Sequence, residues 1–403
     1  MDLEIIAGNV VFAFLSSFIM IYLTNTVGLN AGVIGSLIAF SKILDGVSDV
    51  FFGSMIDKTH SKMGKARPWM LWAYIGCAIT LVAAFAVPTD MGKTSQYIWF
   101  FITYTLLNAG FYTANNIAYS TLTALVTKNA KERVQMGSIR FMFAFGTSFL
   151  IQTITIGAVA KLGGGAAGWR TIAIIYAVIG IISNTVAVLS VKELPPEELA
   201  PQDEKKKEEK YSLIEAGKML LHNKYYIVIL IIDVLRQTYS SIINMGIYFM
   251  TYVLESRTLG TFSGAINLAL IIGLAFLPAL VAKHKGYYKL NFSGYVISAL
   301  GRGVVVVAGY IGSVPLMLVG TAIGAIGMSP WQGNLNALVA ECSEHTFLKY
   351  GKRIDGTMYS CTSMGLKLGG GLGIAIVGWL LDLGGFDGQL AVQSQSCINM
   401  LHF

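Results

Sequence analysis

Eleven stretches of about 20 mostly apolar residues recur along the chain, at 5–24, 32–55, 69–88, 96–126, 137–160, 171–191, 225–254, 260–283, 289–310, 314–341 and 357–382. A helix of that length spans the hydrocarbon core of a bilayer. In lipid only helices or closed barrels satisfy every backbone N–H and C=O, and these runs are too long and too uniformly apolar for barrel strands. The pattern predicts an all-α polytopic membrane protein. Composition agrees: of 403 residues, 54% are hydrophobic and 13% charged, with a mean hydropathy of +0.62. A soluble domain carries about 25% charged residues. The 44 glycines suit close helix–helix approach in lipid. The formal net charge of +7 is no nucleic-acid signal, because the basic residues sit in short loops between apolar runs. Cys77, Cys342, Cys361 and Cys397 are scattered without metal spacing and read as small apolar core residues. The first run lacks the basic leader and small-residue site of a cleavable signal peptide.

One break divides the runs. Residues 192–210, KELPPEELAPQDEKKKEEK, hold three prolines and dense mixed charge, so they bury no core. The chain reads as an N-terminal helical half (1–191, six runs), a charged linker (192–211) and a C-terminal half (212–403, five runs). Residues 212–222 suit a short amphipathic helix on the membrane surface. The loops DKTHSKMGKARP (57–68) and TKNAKERVQMGSIR (127–140) are basic, whereas NTVGLNAG (25–32) and PTDMGKTSQ (88–96) are nearly neutral. The positive-inside rule then places the N-terminus and the central linker in the cytoplasm of a cell (inner) membrane protein. The closing INMLHF reads as the start of a twelfth helix, so the expectation is a chain that lacks most of that helix. Two related helical halves joined by a charged linker are a transporter plan, with the solute held near the midplane.

The sharpest chemical feature lies in the second run, where Ser41, Lys42, Asp45, Ser48 and Asp49 share one face at offsets of three and four. A carboxylate at the bilayer centre costs roughly 3 kcal/mol on insertion scales. Two on one stripe repel unless a cation or proton stands between them. Asp45 and Asp49, with Ser48, read as oxygen ligands for Na⁺, Li⁺ or H⁺; an ion pair with Lys42, Lys367 or Arg140 is the structural alternative. In the fourth run Tyr112, Thr113, Asn116, Tyr119 and Ser120 gather on one face, and amides beside aromatics suit a sugar site. Arg140 and Lys367 are isolated membrane charges; Lys367, ten residues into its run, needs an acid, and the aspartates of the second run are the nearest by type. Asp233 and Arg236, one turn apart, read equally as a local pair or as a site, and Trp331, Gln332, Asn334 and Asn336 make the tenth run polar. The segment Gly53 to Asp57, followed by Lys65, Arg67 and Pro68, has the form of a gate, an acid at a helix end before basic anchors. There is no phosphate loop, no His-x-x-x-His and no Gly-x-Ser-x-Gly, so nothing supports an enzyme, a cofactor or a catalytic residue.

The segment DGVSDVFFGSMIDKTHSKMGKARPWML, with TNTVGL at 24–29, the Glu132-Arg133 pair, Arg140, and the stretch through GKRIDG to Lys367, strongly resembles the signature of the glycoside–pentoside–hexuronide:cation symporter family. The likeness runs over nearly the whole chain. It implies a major facilitator fold of two six-helix halves, here without its twelfth helix, and import of a sugar, glycoside or hexuronide with Na⁺, H⁺ or Li⁺ by alternating access. Carried onto this sequence, it implies a cation site at Asp45, Ser48, Asp49 and Thr113. It implies a solute site at Asn9, Tyr112, Asn116 and Arg140, with Trp331 and Gln332 near it, and gives Lys367 as the matching lysine beside the cation site; Tyr119, on the face of Tyr112, and Lys367 are counted with the solute-binding residues. It implies gating by Asp57, Lys65, Arg67, Glu341 and Glu344. The family's melibiose permease has aspartates where this chain has Asn9 and Asn116, and a tryptophan at Ser120; losing both acids leaves Arg140 less neutralised and favours an anionic solute. The expected partners are the solute and the lipid bilayer, with no nucleic acid, and the expected state is a monomer. The competing readings are a lipid or other solute carried by the same fold, and an inactive truncated copy.

Overall fold

A backbone in lipid has no water to bond, so a membrane chain closes its hydrogen bonds inside helices. The computed structural model describes residues 2–57, 59–126, 130–193, 218–244, 246–253, 266, 268–270, 272, 287–350, 355–390 and 392–402, and among them there is no strand. The helices are α1 (Asp2–Ile21), α2 (Ala31–Asp57), α3 (Arg67–Ala84), α4 (Lys93–Thr105), α5 (Thr113–Val126), α6 (Ala130–Lys161), α7 (Gly165–Ser190), α8 (Lys224–Asn244), α9 (Ile247–Tyr252), α10 (Tyr287–Ile311), α11 (Val314–Tyr350), α12 (Asp355–Leu383) and α13 (Gln395–His402). A π-helical turn, Tyr22–Thr26, extends α1, and a second, Leu106–Tyr112, joins α4 to α5.

Nine helical stretches among the described residues are long and apolar enough to cross a membrane. Of the other two expected runs, 96–126 is helical throughout as α4, π turn and α5, and 260–283 lies mostly outside the described residues. Helix ends differ from the hydropathy reading. α6 begins at Ala130 rather than 137, and α11 continues to Tyr350 rather than 341. Lys, Glu, Arg and Gln are good helix formers, so helices run on into polar segments that hydropathy assigns to loops.

By packing, the chain forms two units. One comprises Met1–Lys206, Gln237–Tyr248 and Lys367–Met400; the other Lys207–Arg236, Phe249–Leu366 and Leu401–Phe403. The first boundary, Lys206/Lys207, falls within the charged linker, while Gln237–Tyr248 and Lys367–Met400 group with the N-terminal part. In the first unit α1 packs on α6 and α7, α3 on α5 and α7, and α2 on α4, the second π turn and α5. Asn115 and Asn184 both donate to the Met70 carbonyl at 3.0 Å, tying α5 and α7 to α3. The 367–383 part of α12 lies against α2 along small residues: a Cβ on Gly35 would stand 3.1 Å from the Ala375 Cα, and one on Gly371 3.0 Å from the Lys42 Cβ. This seam sets the α12 backbone close enough for its side chains to reach the polar stripe of α2.

In the second unit α10 and α11 form a hairpin that turns at Gly312 (φ +73°). Gly294 and Gly301 on α10 face Gly327 and Gly324 on α11 with no room for a side chain, the close approach that lipid-embedded helices use. Pro330 inside α11 has no N–H for the Ile326 carbonyl, and the Ser329 hydroxyl donates to that carbonyl instead at 2.8 Å.

Candidate functional site

α2 carries opposite faces. Phe40, Ile43, Leu44, Val47 and Phe51 are exposed, a stripe fit for lipid, whereas Ser41 and Asp45 are buried. The spacing seen in the sequence therefore turns the acidic stripe inward. Asp45 is 4% exposed and is the hub. Its Oδ1 lies 2.5 Å from the Thr113 hydroxyl and accepts from the Lys367 ammonium at 2.9 Å. Its Oδ2 lies 3.5 Å from the Lys42 ammonium, and its main-chain oxygen accepts from Lys367 at 3.3 Å and from the Ser48 hydroxyl at 2.9 Å. The same Lys367 ammonium stands 2.6 Å from Asp49 Oδ2. One tethered cation thus bridges both carboxylates. Lys42 also donates to Asn108 Oδ1 at 3.3 Å.

Thr113 reaches Asp45 because of the π turn before it. An extra residue in that turn offsets the helix, and the Thr113 hydroxyl lies 2.8 Å from the carbonyl of Asn108, five residues back. Asn108, absent from the sequence expectations, thus places two groups on the site: its carbonyl beside Thr113 and its side-chain oxygen on Lys42. The only trace of it in the sequence is a polar residue inside the apolar run LLNAGF.

The charges close to neutrality: two carboxylates (Asp45, Asp49) against two ammonium groups (Lys42, Lys367) sum to zero. Withdrawing Lys367 leaves a net charge of −1 in a little-exposed site. A monovalent cation restores the balance and a divalent one overshoots it. Oxygen atoms of two carboxylates and a hydroxyl suit a hard cation.

The residues expected at the solute site are distributed as follows. Tyr112 stacks on Phe12 of α1 with ring centroids 6.5 Å apart, one turn along α1 from Asn9, and Asn116 follows Tyr112 by one turn. Phe12, 48% exposed and aromatic, was not among the expected residues. Tyr119 departs from the expected polar face. It is 3% exposed and packs among Ile56, Ala66, Met70, Ala118, Leu122 and Val188, because the ring shares its helix face with apolar neighbours. Lys367, counted with the solute-binding residues and also expected to meet the aspartates of the second run, is bonded to those aspartates. In the second unit Trp331 is buried and its indole N–H lies 3.4 Å from Asp233 Oδ1, while Gln332 is exposed. The side chains of Arg140, Asp57, Asn336 and Glu344 lie outside those described. Glu341 is exposed.

At the expected gate, the side chain of Lys65 is exposed and Arg67 Nε donates to the Val188 carbonyl at 2.9 Å. The backbone N–H groups of Lys65, Ala66 and Arg67 all donate to the Glu193 carboxylate, at 2.7, 2.9 and 3.1 Å. Glu193 thereby caps the start of α3, a helix end that favours negative charge. In the sequence it was only one more charge at the start of the linker.

A family model described as MFS/sugar transport protein matches residues 5–403. The chain is 30% identical over 399 residues to an isoprimeverose transporter of Lactiplantibacillus pentosus, covering 97% of this chain and 80% of that one. It is 25% identical over 390 residues to a glucuronide carrier protein homolog of Escherichia coli (strain K12), covering 94% and 82%. The xylose transporter XylE from E. coli, in a partially occluded inward open conformation, superposes with a TM-score of 0.60 at 14% identity over 100% of this chain and 96% of that one, a likeness of fold.

Proposed function

Because this chain belongs to the MFS/sugar transport family and is a secondary transporter, not an enzyme, we propose that it imports a sugar, glycoside or hexuronide together with a monovalent cation bound at Asp45 and Asp49. The observation that carries this reading is the Lys367 ammonium seated between the two carboxylates, at 2.9 and 2.6 Å. That ammonium occupies the place of the transported cation. Na⁺, Li⁺ or H⁺ arriving at Asp45, Asp49, Thr113 and Ser48 displaces Lys367 without changing the net charge of the site. Because the ammonium sits on α12, the exchange frees or holds that helix on α2, and ion binding thereby biases one conformation of an alternating-access cycle.

The solute belongs with Asn9, Tyr112 and Asn116, with Phe12 adding apolar ring surface beside Tyr112. Amide groups beside aromatic faces match a polyhydroxylated ring. The two relatives, one named for isoprimeverose and one for glucuronides, support a glycoside or hexuronide as the solute class. The protein lies in the cell membrane with its N-terminus and linker in the cytoplasm. A proteoliposome assay tests the reading: imposed Na⁺, Li⁺ and H⁺ gradients are applied against a panel of monosaccharides, glycosides and hexuronates. One gradient is expected to drive accumulation, and Asp45→Asn to abolish the dependence. If no gradient accelerates entry of any solute, or if Asp45→Asn leaves the dependence intact, the proposal fails.

A further inference from the structure

The second unit holds a carboxylate that the cation site does not use. Asp233, on α8, is 0% exposed. Its Oδ1 accepts twice, from Arg236 Nε at 3.1 Å and from the Trp331 indole N–H at 3.4 Å. Among the described residues its Oδ2 is buried with no hydrogen-bond partner. The hydroxyl of Tyr295 on α10, whose ring lies 5.9 Å from that of Trp331, is likewise buried with none. Tyr295 lies within electrostatic reach of both Asp233 and Arg236. Tyr226, two turns earlier on α8, also lies within electrostatic reach of Asp233, and Cys361 and Cys342 lie within reach of Tyr226 in turn.

We propose that Asp233 is a second, occluded ion site of this transporter and that its ligand is a proton. A carboxylate kept only for a structural pair with Arg236 has both oxygens satisfied in a settled fold, since a buried acceptor left unmet costs about 1–3 kcal/mol. The unmet Oδ2 marks a place where a hydrogen is added and removed. Size excludes other ligands: a residue with no accessible surface leaves no room for a sugar hydroxyl or for water. A bare Na⁺ needs several oxygen ligands and meets the Arg236 charge instead. A proton needs no cavity.

The step balances simply. Hydronium on one side of the membrane gives up H⁺ and leaves water, an O–H bond forms at Oδ2, and that bond breaks when H⁺ passes to water on the other side, forming hydronium there; no electrons change hands. Protonation takes the Asp233–Arg236 pair from net zero to net +1 in a low-dielectric interior, where a unit charge is a strong lever on conformation. Full burial keeps the proton from exchanging until the site opens, as coupling requires.

Infrared difference spectroscopy of the purified full chain, titrated with pH, reads the carboxylic C=O stretch without needing a solute. A titrating carboxylic band that is lost in Asp233→Asn and kept in Asp45→Asn is expected. Trp331→Phe, which removes the indole N–H donor to Oδ1 and keeps the carboxyl, is expected to shift the band, since only a protonated Asp233 carboxyl senses that donor. Wild-type and Asp233→Asn spectra that superimpose across the folded pH range overturn the proposal. If Asp233→Asn does not fold, an unshifted band in Trp331→Phe overturns it instead. Neither outcome depends on whether the transported solute is a sugar.

Discussion

Replacing Lys367 with Met removes the bridging ammonium and keeps most of the side-chain volume. The wild-type site sums to zero; the variant holds two carboxylates against Lys42 alone and carries −1. Removing one partner of a buried ion pair costs about 3–5 kcal/mol. Side-chain exposures of 22% for Lys367 and 27% for Asp49 let water screen part of that, so about 3 kcal/mol is the better figure. The same quantity sets the ion's gain. A cation that no longer competes with a tethered ammonium recovers that ~3 kcal/mol, about a hundredfold in affinity at 1.4 kcal/mol per decade. The assay is thermal unfolding of purified protein in detergent, titrated with NaCl, LiCl or choline chloride at constant ionic strength and repeated across pH. Lys367→Met is expected to unfold earlier than wild type in choline and to be rescued by the coupling ion. Its midpoint concentration should fall about a hundredfold, and at 100 times the dissociation constant the ion restores about 2.7 kcal/mol. If Na⁺, Li⁺ and protons stabilise the variant no more than they stabilise wild type, Lys367 does not stand in for the transported cation.

The α2–α12 seam gives a second expectation. Gly35→Val places a branched side chain where even a Cβ stands 3.1 Å from the Ala375 Cα and the Ile374 carbonyl oxygen; backbone cannot yield as a side-chain tip does, so a loss of about 1–3 kcal/mol is expected, read as a lower unfolding temperature together with weakened ion dependence. At the start of α3, Gly64 has φ +104° and a Cβ there would fall 2.3 Å from the Glu193 carboxyl carbon. Gly64→Ala is therefore expected to cost more in wild type than in a Glu193→Ala background, where only the backbone strain of about 1 kcal/mol remains. A double-mutant cycle measures the coupling, and additive costs would show that the Glu193 carboxyl does not sit over Gly64.

What the sequence discloses here follows from cost. Runs of 20 apolar residues have one use, and every isolated charge within them carries a penalty that demands a partner, so the helical class and the meeting of Lys367 with Asp45 and Asp49 were legible as charge arithmetic. Hydrogen-bond geometry was not. Thr113 meets the Asn108 carbonyl five residues back through a π turn, and hydropathic periodicity does not distinguish a π turn from the α-helix around it. Tyr119 looked like part of a polar face because a phenol has two characters, and its ring packs among Leu122, Met70 and Ile56. Glu193 was indistinguishable from the other linker charges until α3 began beside it. Asp233 shows the boundary most clearly. Its spacing from Arg236 left a local pair and a site equally open, and the pair forms at 3.1 Å. The sequence had no means of saying that only Oδ1 would be served, since that depends on the side from which Trp331 approaches and on where the Tyr295 hydroxyl comes to rest. A charge in lipid announces itself because its solvation energy is large against any packing detail. A missing hydrogen bond is worth only a few kcal/mol and is decided by tenths of an ångström, so it becomes visible once the side chains are in place.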